Sequence, residues 1–221
     1  MINIALIITE AIICYIAFSL FYKKYKTDGI YVFAIIMTIM ACIMNLKTIS
    51  IMNIGVPLGF GVTTSIILGA NYITQKQGLD EIKGYILIVL ITGIVTCGAL
   101  NISGMLYSSE YNYFANKAYD NVFIYNIRKY LSLILSLITS ICLSTKLFYT
   151  IKKLKNKIIL SNIFSIVITE FIENIIFILI AYLFDYSGTD IALCIIFRYI
   201  IKTIIGIIGT IPLYIANKNN W

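Results

Sequence analysis

Residues 158–184 read IILSNIFSIVITEFIENIIFILIAYLF, and the reading of this stretch decides the fold. A helix that crosses the hydrocarbon core of a bilayer needs about 20 predominantly apolar residues, and this run exceeds that length. Its only acidic or basic side chains are Glu170 and Glu173. Glu170, Glu173, Asn174 and Phe177 are spaced i, i+3, i+4, i+7, so a helix carries all four on one face. A charge at the centre of a membrane helix costs at least about 2.5–3.5 kcal/mol, so such a face turns towards a bundle interior or a cavity. The stretch predicts a membrane helix that needs partners.

The partners are visible on both sides. The short loop DYSGTD (185–190) leads into an apolar run at 191–216 that carries Arg198 and Lys202 at i, i+4. Before it lies an apolar run at 122–149 containing Arg128 and Lys129, followed by a loop with Lys152, Lys153, Lys155 and Lys157. Towards the N-terminus, further runs span 2–22, 30–46, 51–73 and 84–106. Lys23, Lys24 and Lys26 follow the first, and Lys47 follows the second. Residues 74–83 form a charged loop, and 107–121 (YSSEYNYFANKAYDN) a polar, aromatic one.

The composition agrees. Of 221 residues, 60% are hydrophobic and 12% charged, against about 25% charged in a soluble domain. The mean hydropathy is +0.93. Seven spans use about 140 residues, which leaves short loops. The expectation is an all-α polytopic membrane helix bundle: one integral membrane transporter domain over 1–221 with seven transmembrane helices. Six remains open if one weak span is re-entrant.

Orientation follows from lysine placement, because Lys and Arg accumulate in cytoplasmic loops. Seven helices put four crossings between the lysine-rich loops after the first and fifth spans, so both face the cytoplasm. The loop at 74–83 and Lys218 then also face in. Lys47, Lys117, Asp185 and Asp190 face out. The N-terminal run lacks a basic start and carries its basic flank after the apolar stretch, so it reads as a signal anchor rather than a cleaved signal peptide. The topology is N-out/C-in, in the cell's inner (plasma) membrane.

The same composition excludes chemistry. There is no histidine, which removes His-based metal sites and His general bases. The five cysteines sit singly in different apolar runs with no CxxC, and read as small core hydrophobes. The net charge of +7 is spread over membrane-flanking loops, so it points to the lipid bilayer and not to nucleic acid. No P-loop is present, and no motif calls for a cofactor. A transporter of small solutes is a stronger reading than an enzyme.

Three intramembrane acids, Glu10, Glu170 and Glu173, stand against three bases, Arg128, Arg198 and Lys202. That balance predicts internal pairing, since attraction between partners offsets desolvation. Static ion pairs joining helices, with no ligand, are the alternative. The run at 51–73 ends in a polar cluster of Thr63, Thr64, Ser65, Asn71, Thr74 and Gln75. Its Pro57, Gly55, Gly59 and Gly61 predict a loosened first half that lines a cavity, or a GxxxG-like crossing at Gly55–Gly59. Ser132, Ser136 and Ser140 recur every four residues and suit close helix packing first and cavity lining second.

Several of these stretches together resemble the YhhQ-type queuosine-precursor transporters, also called the vitamin uptake transporter family. In that family the third helix ends in an Asp-Leu-Ile-Thr-Glu-like segment followed by a Tyr-Gly and a charged stretch. Here Asn71-Tyr72-Ile73-Thr74-Gln75 is followed by Gln77-Gly78 and Asp80-Glu81-Ile82-Lys83. Val122-Phe123 and Arg128, then Ser132, resemble the family's aromatic-flanked arginine before a serine-bearing helix. Residues 169–177 (TEFIENIIF) occupy the place of a Ser-Gln-x-x-Asp-Thr-x-x-Phe-like face, and Lys202 precedes Pro212 in the last helix as the family pattern has it. The resemblance covers roughly residues 50–215. Asn71 stands where the family usually has an acid, Gln75 where it has Glu, and Glu173 where it has Asp.

The resemblance implies import of queuosine precursors: 7-deazaguanine bases such as 7-cyano- or 7-aminomethyl-7-deazaguanine, or queuine or its nucleoside. A guanine-like edge offers N–H donors that a carboxylate accepts in pairs, and an aromatic ring stacks on the flat base. The expected substrate-binding residues are Glu170, Glu173, Asn174, Phe177, Asn71, Gln75, Arg128 and Lys202, with Glu10 and Arg198 pairing charges. A homo-oligomer is compatible with this reading. The competing reading is the substrate-binding subunit of an energy-coupling-factor transporter, powered by separate ATPase subunits.

Overall fold

The computed structural model describes residues 2–106, 111, 113–123, 126–155 and 157–218. The elements are α1 (Ile2–Met44), β1 (Thr48–Ile51), β2 (Ile54–Pro57), α2 (Phe60–Gln77), α3 (Ile82–Met105), α4 (Tyr113–Phe123), α5 (Ile127–Lys155), α6 (Ile158–Tyr182) and α7 (Gly188–Lys218). The architecture is an all-α bundle with one small hairpin.

α1 is not one rod. Lys26 leaves helical geometry (φ 54°, ψ −135°), and the chain folds back there. Phe18 and Phe33 meet with ring centroids 5.5 Å apart, whereas 15 residues of straight helix would separate them by about 22 Å. Gly29 makes the reversal feasible, since a Cβ there would lie 2.3 Å from the Phe21 carbonyl oxygen. The two limbs match the runs expected at 2–22 and 30–46, with the lysines of the turn exposed.

The run at 51–73 divides differently from the expected single helix. Its start belongs to an antiparallel hairpin in which Ile51 pairs with Ile54. Met52 (φ 50°) and Asn53 (φ 65°) take the left-handed turn, the two-residue arrangement that suits the twist of a β-hairpin. Thr48, Ile49 and Ile51 are β-branched and favour a strand. Gly55 and Pro57 therefore lie outside any helix, and the Gly55–Gly59 crossing does not form. Gly59 instead starts α2 with φ 94°. The close crossing occurs two residues later, where a Cβ on Gly61 would lie 2.7 Å from Ala11 Cα.

α2 is buried without interruption from Phe60 to Thr74. It packs on α1, α7 and α5, which explains how it carries Thr63, Thr64, Ser65 and Asn71 without facing lipid. Around it, among the described residues, five helices are long and apolar enough to cross a membrane, α1 counted as one. Their outward faces are apolar: Leu6, Ile13, Leu87, Leu131, Phe164 and Ile196 are all exposed. Polar side chains point inward, the pattern of a multi-pass membrane protein.

The segment expected to be a polar loop at 107–121 is helical from Tyr113 onward, as α4; 107–110 and 112 lie outside the described residues, as does Trp221. α5 begins at Ile127 rather than at 122. The segment 183–187 makes α6 and α7 antiparallel neighbours, as the short loop predicts.

Candidate functional site

The inward stripe of α6 runs through Asn162, Ser165, Thr169, Glu170, Glu173, Asn174 and Phe177, all buried. Opposite it, α7 presents Arg198 and Lys202, both with no exposed surface. Lys202 Nζ lies 2.8 Å from Glu170 Oε2 and 2.7 Å from Glu173 Oε2. One ammonium thus bridges two carboxylates one helical turn apart. Arg198 Nη2 lies 3.6 Å from Glu173 Oε1 and donates to Asn45 Oδ1 at 3.2 Å. Its guanidinium sits 4.1 Å from the centre of the Phe177 ring. Thr64 Oγ1 donates to Glu170 Oε1 at 2.8 Å. Two acids and two bases make this centre formally neutral, which is how four ionised groups tolerate full burial.

Asn174 donates to the Glu170 carbonyl at 2.6 Å, while its Oδ1 has no hydrogen-bond partner among the described residues. Phe177, expected as a stacking platform, already carries Arg198 on its ring.

Asn71 belongs to a second layer nearer the other end of α6. Its Nδ2 donates to Asn162 Oδ1 at 2.8 Å and to Ser165 Oγ at 3.3 Å. Its Oδ1 accepts from Ser144 Oγ at 2.9 Å, and Asn162 Nδ2 donates to Thr210 Oγ1 at 2.9 Å. Side chains from α2, α5, α6 and α7 are joined in one buried network. Asn162, Thr210 and Asn45 escaped the sequence reading. Asn162 shares the stripe of Glu170, a usable signal, whereas nothing near Asn45 marks it as a partner of Arg198.

The remaining expected residues lie apart. Gln75 borders a cleft of about 370 Å³ with Thr74, Gly78, Tyr149, Lys152 and Lys153. Arg128 pairs with Asp185 at 2.6 Å, both about two-fifths exposed, at the opposite end of the bundle. The expected balance of three acids and three bases therefore reduces to two and two. Glu10 stands by the first turn of α2, next to the backbone N–H groups of Gly61 and Val62, where a helix N-terminus favours a carboxylate. The ion-pair partner of Arg198 in the structure is Glu173. Ser132, Ser136 and Ser140 bond to carbonyls of their own helix, as close packing of α5 on α6 requires, and Ser136 also borders the Glu173 carboxylate; Ser144 turns to Asn71 instead.

A family model described as "Putative vitamin uptake transporter" matches residues 57–216. The chain belongs to the vitamin uptake transporter family. No curated protein and no solved structure matches it. The family match spans α2 to α7 and so contains both buried layers, while Asn45 and Glu10 come from the segment before it. A member of this transporter family binds a small molecule within the membrane, and Glu170, Glu173, Arg198 and Lys202 are the fully buried charged side chains among the described residues.

Proposed function

We propose that this transporter imports queuosine precursors of the 7-deazaguanine class, as a base or nucleoside, across the inner (plasma) membrane for tRNA queuosine salvage. The observation that carries the reading is the fully buried pair Glu170 and Glu173, bridged by Lys202. The 2-amino-6-oxo edge of such a base presents two adjacent N–H donors, and a carboxylate accepts both. In the empty site Lys202 neutralises the acids. An arriving base supplies its own donors in exchange, and the ammonium keeps one carboxylate as partner throughout. The centre remains paired in both conditions, which keeps the exchange free of a bare buried charge.

The same proposal covers the whole chain as a single membrane domain with seven crossings, N-out and C-in. In this reading the two limbs of α1, with α2, α3, α5, α6 and α7, are the seven segments, α2 being the one enclosed by the others. Tyr22 at the turn of α1 and Tyr72 near the end of α2 meet at 4.6 Å, and Lys76 lies near Lys152. The basic turns thus gather at one end, the arrangement expected of a cytoplasmic face.

The decisive test is uptake of labelled 7-deazaguanine bases in a strain unable to synthesise them and devoid of any coupling-factor ATPase. Restored queuosine in tRNA is the expected result. Absence of uptake by well-expressed protein would reject the independent permease.

A further inference from the structure

The Arg198 side chain is held from three sides and left unpaired on the rest. Its Nη2 meets Asn45 and Glu173, and its plane lies over Phe177 at 4.1 Å. Among the described residues, Nε and Nη1 have no hydrogen-bond partner, although the residue is completely buried. Three of the five N–H donors of a guanidinium belong to these two atoms. A buried donor on a charged group is expensive to leave unpaired. Asn174 Oδ1, on the same wall, lacks a hydrogen-bond partner among the described residues as well, while the Glu173 carboxylate has Arg198 and the Ser136 hydroxyl beside it.

A purely structural lock would satisfy its own donors and acceptors. This wall instead keeps unused donors on Arg198 and an unused acceptor on Asn174, beside the Glu173 carboxylate that Arg198 meets only at 3.6 Å. The Phe177 ring beneath the guanidinium carbon and the bond to Asn45 restrain the group, so the free donors have restricted directions. An oxo-purine-like edge carries an acceptor oxygen next to N–H donors, the complement of a guanidinium next to a carboxylate.

We propose that Arg198 is a substrate-binding, specificity-determining residue that donates to the 6-oxo oxygen of the base while Glu173 accepts from the neighbouring N–H groups. This rests on the reading of the site as one for 7-deazaguanine-class bases. Arg198 then does more than balance charge, and a group that keeps the charge but not the planar fork does not replace it.

The test uses purified full-length protein in detergent, with 7-deazaguanine and its 6-thio analogue as probes. The analogue keeps the N–H donors and replaces the acceptor oxygen by a larger sulfur that accepts hydrogen bonds weakly. Wild-type protein is expected to bind the oxo base about 10-fold more tightly than the thio base. Arg198→Lys is expected to lose roughly 10- to 100-fold in affinity for the oxo base and to bind the two bases equally. Phe177→Leu, which frees the guanidinium plane without touching charge, should show a smaller loss of the same discrimination, and it decides the matter if Arg198→Lys does not fold. Wild-type binding with unchanged affinity and discrimination in the folded variants overturns the role of Arg198 and leaves the 7-deazaguanine reading standing. Failure of folded wild-type protein to bind either base overturns that reading, and this inference with it.

Discussion

Lys202 Nζ lies 2.7 Å from Glu173 Oε2 across the α6–α7 interface. Each residue is 12 positions from the 185–190 loop, about 18 Å along its helix, so two antiparallel helices joined by a short turn bring them to one depth. Glu170, one turn deeper, still reaches the same ammonium at 2.8 Å. Removing Lys202 therefore leaves two buried carboxylates facing each other with only the 3.6 Å Arg198 contact of Glu173 to offset them. Lys202→Met should lower the thermal stability of the purified protein by about 3–5 kcal/mol. Lys152→Met, at the end of α5 beside the basic cleft, should change it little. Exchanging the charges, Glu173→Lys with Lys202→Glu, should recover more folded protein in size-exclusion chromatography than either change alone. Equal yields from all three would refute the pairing.

Glu173→Gln should abolish uptake while the protein still inserts. Glu173 accepts from Lys202 and approaches Arg198. An amide in its place points its own N–H group at a donor, whether that donor is Lys202 or the substrate. Each such mismatch costs about 1–3 kcal/mol, more with a charged partner. Uptake by the variant at the wild-type rate and expression level would remove Glu173 from the site.

Cysteine labelling tests the orientation. A single cysteine at position 155 in an otherwise cysteine-free protein should resist an impermeant maleimide in intact cells and react after permeabilisation. A cysteine at position 187, in the turn between α6 and α7, should react in intact cells. The reverse pattern would invert the bundle.

The bundle and the α6–α7 pairing were legible because they rest on two strong signals: apolar length, and helical spacing of charges too costly to leave alone in lipid. The turn at Lys26 was legible as a basic interruption between apolar runs. The hairpin at 48–57 was not, since a short apolar strand pair has the hydropathy of a membrane helix, and only the φ values of Met52 and Asn53 distinguish them. Arg128 shows the limit of counting charges: it looked intramembrane by its apolar neighbours, yet a surface partner, Asp185, claims it. Asn45 stayed hidden because its role depends on a contact with a residue 153 positions away.

Gly61 is fixed by contact rather than by turn geometry. A Cβ there meets Ala11 Cα at 2.7 Å and its nitrogen at 3.0 Å, backbone atoms that have no rotamer to yield. Gly61→Ala should push α2 from the first limb of α1, at a cost of about 1–3 kcal/mol as overpacking. Gly98→Ala, in the exposed face of α3 with nothing within 4 Å, is the control and should leave the melting temperature nearly unchanged. Equal melting temperatures for the two variants would refute the crossing.

Asn71 holds the second polar layer, and the two ends of its amide do different work. The NH2 group donates to Asn162 and Ser165, and the oxygen accepts from Ser144. Asn71→Leu keeps the approximate volume but strips partners from Ser144 and from Asn162 Oδ1, both fully buried. Each unpaired group costs about 1–3 kcal/mol, so the variant should lose roughly 2–6 kcal/mol if the two add. Ser165→Ala is the informative comparison. It removes the longer of the two donations, 3.3 Å, and leaves the 2.8 Å bond to Asn162 in place. The hydroxyl's own donation goes to the Asn162 carbonyl of the same helix, which remains within the α6 backbone ladder. A loss below about 1 kcal/mol is expected there. Thermal denaturation of the two variants side by side separates a network centred on Asn71 from one that any of its members can lose. A Ser165→Ala protein as unstable as Asn71→Leu would mean that the layer has no such centre.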